Sequence, residues 1–217
     1  GGEFTSAGGV ANTVKIAKWD GISWSALSTG LNNRVYALAI APNGELYIGG
    51  EFTDTGYPYL CKWKGSAFSA VGTNTDINNI VWSLAFGETG YLYAGGNFTD
   101  AGGIANADYI ARWNGSNWEA LGSGVDNTVR CIAVKSGKVY AGGYFNVAGG
   151  ITVTDRAAVW SNGAWQPLDV DLPGFLHATP IWSILPASDG SLYIGGEFST
   201  ATHSMNAKTG IVALNLN

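Results

Sequence analysis

Five copies of the string Gly-Gly-x-Phe, starting at Gly1, Gly49, Gly95, Gly142 and Gly195, restrict this chain more than any other feature. They recur at intervals of 46 to 53 residues, the length of one supersecondary unit per copy. Two further markers keep the same order. Aromatic pairs stand at Trp19/Trp24, Trp63/Phe68, Trp113/Trp118 and Trp160/Trp165, and apolar strand starts at Val35, Val81, Val129 and Ile181. A unit this short cannot bury its apolar face alone, so the units must stack on one another.

Within a unit the pattern reads as four short strands. Strand A is Val35–Ile40, B is Leu46–Phe52, C is Leu60–Trp63 with Ile16–Trp19 as its counterpart, and D is the piece around Phe68, matched by Trp24–Leu27. Alternation and aromatic or β-branched content support strands, and no useful 3.6-residue stripe predicts a helix. The A–B connections (Pro42-Asn43-Gly44, Glu88-Thr89-Gly90, Ser136-Gly137, Ser188-Asp189-Gly190) and the C–D connections (Asp20-Gly21, Lys64-Gly65, Asn114-Gly115, Asn162-Gly163) are tight turns built from residues that tolerate positive φ. The B–C and D–A connections are longer and vary.

Four-stranded meanders at this period predict an all-β fold, a β-propeller of four-stranded antiparallel blades with about 47 residues per blade. Residues 1–217 read as a single propeller domain with repeat starts near 1, 49, 95, 142 and 195. Five blades account for the strands, the first and last being incomplete. A four-blade closure, in which the C-terminal A and B strands join the N-terminal C and D strands, stays open, as does a window cut from a longer array. In a meander the tight turns share one rim and the long loops the other. Function sits on variable loops held by a rigid scaffold, so the long-loop rim is the expected working face.

The best copies of the unit, Gly95–Gly103 and Ile110–Gly122, follow Gly-Gly-x-Phe-Thr-x-Ala-Gly-Gly and Ile-Ala-x-Trp-x-Gly-x-x-Trp-x-x-Leu-Gly, and Val-x-x-Leu opens the next unit. This pattern resembles the kelch-like propellers of bacterial secreted and surface proteins, viral proteins and fungal cortical-marker proteins, over nearly the whole chain. The resemblance implies propeller blades and leaves the function open, because propellers host binding, scaffolding and catalysis. The chain departs from the pattern at Gly-Gly-Tyr-Phe-Asn in one copy, at Ser199–Thr202, and at Leu214, which replaces the C-strand Trp.

The chemistry-bearing residues are few. Gly-Gly-Glu-Phe also occurs in the catalytic loop of cyclases that join two GTP molecules, but here it recurs once per unit, its third position varies, and no α/β scaffold surrounds it. The nine tryptophans all fall on repeat positions. Aromatics near long loops, Tyr57, Tyr59, Tyr109 and Phe175, are the candidates for stacking on a ligand. Cys61 and Cys131 replace Ala or Ser in other units, which predicts buried free thiols. His177 and His203 fall in long loops without metal-ligand spacing, so no metal ligand is assigned. No catalytic residue is assigned either: no nucleophile elbow and no phosphate-binding loop is present.

Charge is unevenly placed. The long loops carry Asp54, Asp76, Asp100, Asp108, Asp126, Asp155, Asp169 and Asp171 against Arg34, Arg156 and Lys208, which accounts for the whole net charge of −5. An acidic rim disfavours nucleic acid and anionic membrane and would suit a cationic partner or calcium, although no cofactor is assigned. Asp54 and Asp100 share the position Phe-Thr-Asp, where an Asx turn is expected. No apolar run is long enough for a membrane helix, and no Lys/Arg-led apolar segment opens the chain as a signal peptide would. The reading is a non-catalytic binding or scaffolding propeller on an extracellular, cell or virion surface. Its candidate binding residues are Asp54, Tyr57, Tyr59, Asp100, Asp108, Tyr109, Asp126, Asp169, Asp171, Phe175, His177 and His203, facing a protein or glycan ligand. A lectin-like propeller with one shallow site per blade is the alternative, and a hydrolase or lyase with a central acidic pocket the least favoured.

Overall fold

Alternation and turn chemistry produce the expected meanders. The computed structural model describes residues 1–73, 76–152, 156–168, 180–196 and 211–215, the last as backbone. The chain opens with a hairpin of β1 (Ala17–Trp19) and β2 (Trp24–Ala26). Two four-stranded meanders follow, β3 (Val35–Ile40), β4 (Leu46–Gly50), β5 (Leu60–Trp63) and β6 (Phe68–Ser69), then β7 (Val81–Phe86), β8 (Leu92–Gly96), β9 (Ile110–Trp113) and β10 (Trp118–Glu119). The third meander is formed by β11 (Val129–Lys135), β12 (Lys138–Gly143), β15 (Ala157–Ser161) and β16 (Ala164–Pro167), and its long loop holds a small extra hairpin of β13 (Val147–Ala148) and β14 (Ile151–Thr152). The last sheet is β17 (Ile181–Pro186), β18 (Ser191–Gly196) and β19 (Ile211–Asn215). All pairings are antiparallel, and the described residues contain no helix. The sequence pattern did not anticipate β13 and β14.

Consecutive sheets stack face to face, with β3 against β7, β7 against β11 and β11 against β17. Each A strand is an edge of its sheet and meets the next A strand, so the sheets converge on their A strands, as propeller blades do. The first glycine of each Gly-Gly pair makes the stacking close. A Cβ on Gly49 would lie 2.6 Å from Val81 Cγ1, on Gly95 2.6 Å from Val129 Cγ1, and on Gly142 2.6 Å from Ile181 Cγ2. Gly1 repeats the contact with Val35, which places residues 1–4 where a B strand would end. Phe52, Phe98 and Phe145 are fully buried at the fourth position of the string.

Among the described residues the ends of the array share no sheet. β18 pairs with β19 and β1 pairs only with β2, so the composite blade needed for four-blade closure is not formed among the described residues. The faces that would receive a neighbour stay open. Leu38 is 44% exposed while its counterpart Leu84 is 9%, and Tyr193 is 41% exposed while Tyr93 is 6%.

Candidate functional site

Every A strand carries the same irregularity opposite its Gly-Gly pair. Val35 pairs with Gly50 and Ala37 with Gly49, which leaves Tyr36 as an extra residue. Trp82, Arg130 and Trp182 are the extra residues at the same place in β7, β11 and β17. A bulge leaves its extra residue outside the ladder and re-aims the side chain. The second glycine accommodates it. A Cβ on Gly50 would lie 2.2 Å from the Arg34 carbonyl oxygen, and one on Gly96 2.1 Å from that of Ile80. Those carbonyls accept the Glu51 and Asn97 N–H groups at 3.0 and 2.9 Å.

The A strands are the inner edges and begin at the long-loop rim, so the four re-aimed side chains gather at the inner mouth of that rim. They touch in blade order. The Tyr36 and Trp82 ring centres lie 4.1 Å apart. Arg130 Cζ lies 3.6 Å from the Trp82 ring centre and 4.6 Å from that of Trp182. Trp182 in turn meets Tyr144 edge-on at 5.9 Å. The guanidinium thus lies within cation–π range of two indoles.

The third position of Gly-Gly-x-Phe adds Glu3, Glu51, Asn97 and Tyr144 to this mouth. Arg34 bonds Glu3 at 2.6 Å and lies 3.6 Å from Glu51. The hydrogen bond to Arg34 holds the Glu3 carboxyl below its ordinary value. Asn97 Oδ1 accepts from the Trp82 indole N–H at 2.8 Å and from the Thr128 hydroxyl at 2.9 Å. Arg130 has no acidic partner among the described residues, and burial lowers its affinity for its proton.

The long-loop acids do other work. Asp126 Oδ1 accepts the Asn146 and Val147 N–H groups at 2.8 and 2.9 Å, clamping one long loop to the next. Asn32 and Asn78 perform the same clamp on Thr53 and Thr99 in the earlier units. Asp100 accepts from Gly103 N–H at 2.7 Å, three residues on rather than the two of an Asx turn, and Asp76 bonds Thr73. The carbonyl of Asp108 accepts from Ile110 N–H at 2.7 Å.

Tyr59 and Tyr109 sit at the same pivot before strand C, with φ of 66° and 62°. Their carbonyls accept from Gly50 and Gly96, their N–H groups donate to Phe52 and Phe98, and both rings pack against the core. Tyr57 packs partly buried beside Phe52 and Cys61 in the first core cluster. Asp169, Asp171, Phe175, His177 and His203 lie outside the described residues. Among the described residues no group of three or more His, Cys, Asp and Glu is placed to hold a metal ion. Cys61 and Cys131 are buried free thiols, as expected, and burial pushes both up to about 12.

Two repeat-related grooves run along the outer flank. One, of about 510 Å³, is lined by Thr73, Asp76, Ile104, Trp113, Asn117 and Trp118. The other, of about 330 Å³, is lined by Ser28, Thr29, Asp54, Thr55, Tyr57 and Phe68.

The inner-mouth residues Tyr36, Trp82, Asn97, Arg130 and Trp182 were not among the candidates from sequence. Their signal was a large planar side chain second in every A strand, one residue after the apolar start and opposite Gly-Gly.

No protein-family model matches the chain, and no curated protein matches it. Solved structures do. YCF48 bound to D1 peptide is 18% identical with a TM-score of 0.54, covering 93% of this chain and 57% of that one. The extracellular domain of the putative one component system BT4673 from B. thetaiotaomicron is 16% identical with a TM-score of 0.54, over 84% of this chain and 22% of that one. The computationally designed Ika4 protein is 13% identical with a TM-score of 0.52, over 87% and 94%. The chain thus spans about a fifth of the BT4673 domain and under two thirds of YCF48. At these identities the likeness carries the fold, a β-propeller.

Proposed function

We propose that this chain is a non-catalytic binding or scaffolding propeller, a single domain that presents its long-loop rim and inner mouth to a protein partner outside the cell. The ladder Tyr36–Trp82–Arg130–Trp182 carries the reading. It places half-exposed aromatic and cationic groups where the blades converge, beside the most variable loops, and aromatic residues with arginine are what interfaces concentrate. A peptide bound to one similar propeller, YCF48, and an extracellular domain in another support the class of partner and the setting. No helix among the described residues is long and apolar enough to cross a membrane.

The test is selection of a displayed peptide library against the full chain, with a glycan array in parallel. Selected peptides should bind saturably, change tryptophan emission and lose affinity on Trp182→Ala. Binding confined to glycans, and unaffected by Trp182→Ala, would overturn the reading. That outcome would favour the lectin-like alternative, which the two repeat-related outer grooves support.

A further inference from the structure

We propose that Arg130 and Asn97, both seated on Trp82, form a recognition site for the carboxylate of an acidic peptide. The proposal rests on the inner mouth being the binding face and names the chemistry it takes.

The Arg130 Cζ lies 3.6 Å from the Trp82 ring centre and 4.6 Å from that of Trp182. No described residue bonds or ion-pairs with the Arg130 guanidinium, although the chain carries a net charge of −5. Arg34, at the other end of the ladder, shows the contrast, since Glu3 and Glu51 both lie against it. A guanidinium edge presents planar paired donors that match a carboxylate in bidentate fashion. Holding such a cation partly desolvated, with no counter-charge among the described residues, is unfavourable, and an incoming carboxylate relieves it.

Asn97 supplies the second donor. The Trp82 indole nitrogen can only donate, so the amide oxygen of Asn97 must face it. The Thr128 hydroxyl occupies the same oxygen. The amide NH2 therefore remains with two donors and no described acceptor, beside the same indole that carries Arg130.

Other ligand classes fit less well. A pyranose ring needs an open aromatic face, and the Trp82 ring already meets both Tyr36 and Arg130. A phosphate dianion would meet a single cation. One guanidinium with one amide matches the single charge and planar shape of a carboxylate, whether from an Asp or Glu side chain or from a chain terminus.

The test uses the full chain in about 50 mM salt, where surface charge is weakly screened. The side-chain N–H signal of Arg130 and the indole signals of Trp82 and Trp182 are followed by NMR. C-terminally amidated triglutamate should shift all three saturably, and amidated triglutamine should not. Triglutamine with a free C-terminus separates the two carboxylate sources, since shifts of equal size would assign the site to a chain terminus. Arg130→Lys keeps the charge but loses the planar fork and should weaken binding by about tenfold or more. Asn97→Asp sets a like charge against the ligand and should abolish it. Melting temperatures near that of the parent show both variants folded.

The proposal is overturned if amidated triglutamine binds as well as triglutamate, if inorganic phosphate saturates the site while neither carboxylate source does, or if both variants bind unchanged. If library-selected peptides bind the mouth yet ignore both substitutions, the carboxylate site falls and the binding face stands. If nothing binds the mouth, both fall.

Discussion

Substituting Gly95 by Ala probes whether blade stacking is what demands glycine in the repeat. The added Cβ would lie 2.6 Å from Val129 Cγ1, 2.9 Å from Ile132 Cδ1 and 3.1 Å from Val129 Cβ. Val129 is fully buried, and the Gly95 backbone that would have to retreat belongs to β8, a central strand paired on each side. Inserting a methyl into such packing costs about 1–3 kcal/mol. Val129→Ala removes two buried methyl groups, about 0.8 kcal/mol each before any cavity cost, or about 2 kcal/mol with it. Val129→Ala also deletes the atom at 2.6 Å. What remains is a contact at 3.1 Å and the mobile end of Ile132 at 2.9 Å, which a small shift relieves.

The two changes should therefore compensate. The double variant should be about 1–2 kcal/mol more stable than the sum of the singles predicts, well outside the additivity expected of independent sites. Urea unfolding of the four proteins, read as midpoint shifts at constant slope, supplies the cycle. Additive values, or a Gly95→Ala variant as stable as its parent, would refute the packing argument. The glycine would then have to be explained by backbone freedom, although the clash rather than a positive φ is what marks Gly95 out.

Three further outcomes follow from the core and the turns. Cys61 and Cys131 should resist a bulky disulfide reagent in the native protein and react fully in urea, because burial pushes both thiols up to about 12 and leaves little thiolate; rapid native labelling would contradict this. Trp113→Ala should cost about 3–5 kcal/mol in the same urea assay, since Trp113 is 8% exposed and packs on Trp118 at 5.5 Å. Acid should weaken the fold: backbone N–H bonds from Ser23 and Ser191 hold Asp20 and Asp189 below their ordinary 3.8, so their contribution is present above that value and is lost as pH falls through the folded-state values. The decline is read from urea midpoints between neutral pH and about pH 2, and Asp20→Asn should flatten part of it.

The strand order of this chain was legible because it depends on local patterns. Asn, Asp and Gly at the turns, period-two alternation, and one Gly-Gly-x-Phe per unit each point to the same meander. Cys61 and Cys131 were placed correctly for a related reason, as the alanine and serine at their positions in other units report how little room the neighbouring blade leaves. The site was less legible. Counting acids in the long loops treated Asp126 as free charge, while the asparagines at its position in two earlier units already pointed to a hydrogen-bonding clamp. The aromatics chosen for their nearness to loops, Tyr59 and Tyr109, proved to be backbone pivots whose rings pack inward. Trp82 and Trp182 read as part of the repeat's own set of tryptophans, and only the bulge in β7 and β17 sets them at the mouth.

That last reassignment follows from one physical cause. Alternation holds only while each residue of a strand has one partner, and the Gly-Gly pair removes that condition at a single point. Its first glycine lets the next blade approach until Val81 or Val129 touches backbone, and its second lets the preceding carbonyl approach the strand and admit one extra residue. Close stacking and the bulge are thus produced by adjacent residues of the same string. Stacking sets the distance between successive A strands, and the bulge turns one side chain per blade onto that spacing. Planar groups at this position, Tyr36, Trp82, Arg130 and Trp182, then meet at ring-contact distances. A repeat that needs glycine to pack its blades therefore also builds, at the mouth of its long-loop rim, a surface whose chemistry can change residue by residue while the scaffold stays the same.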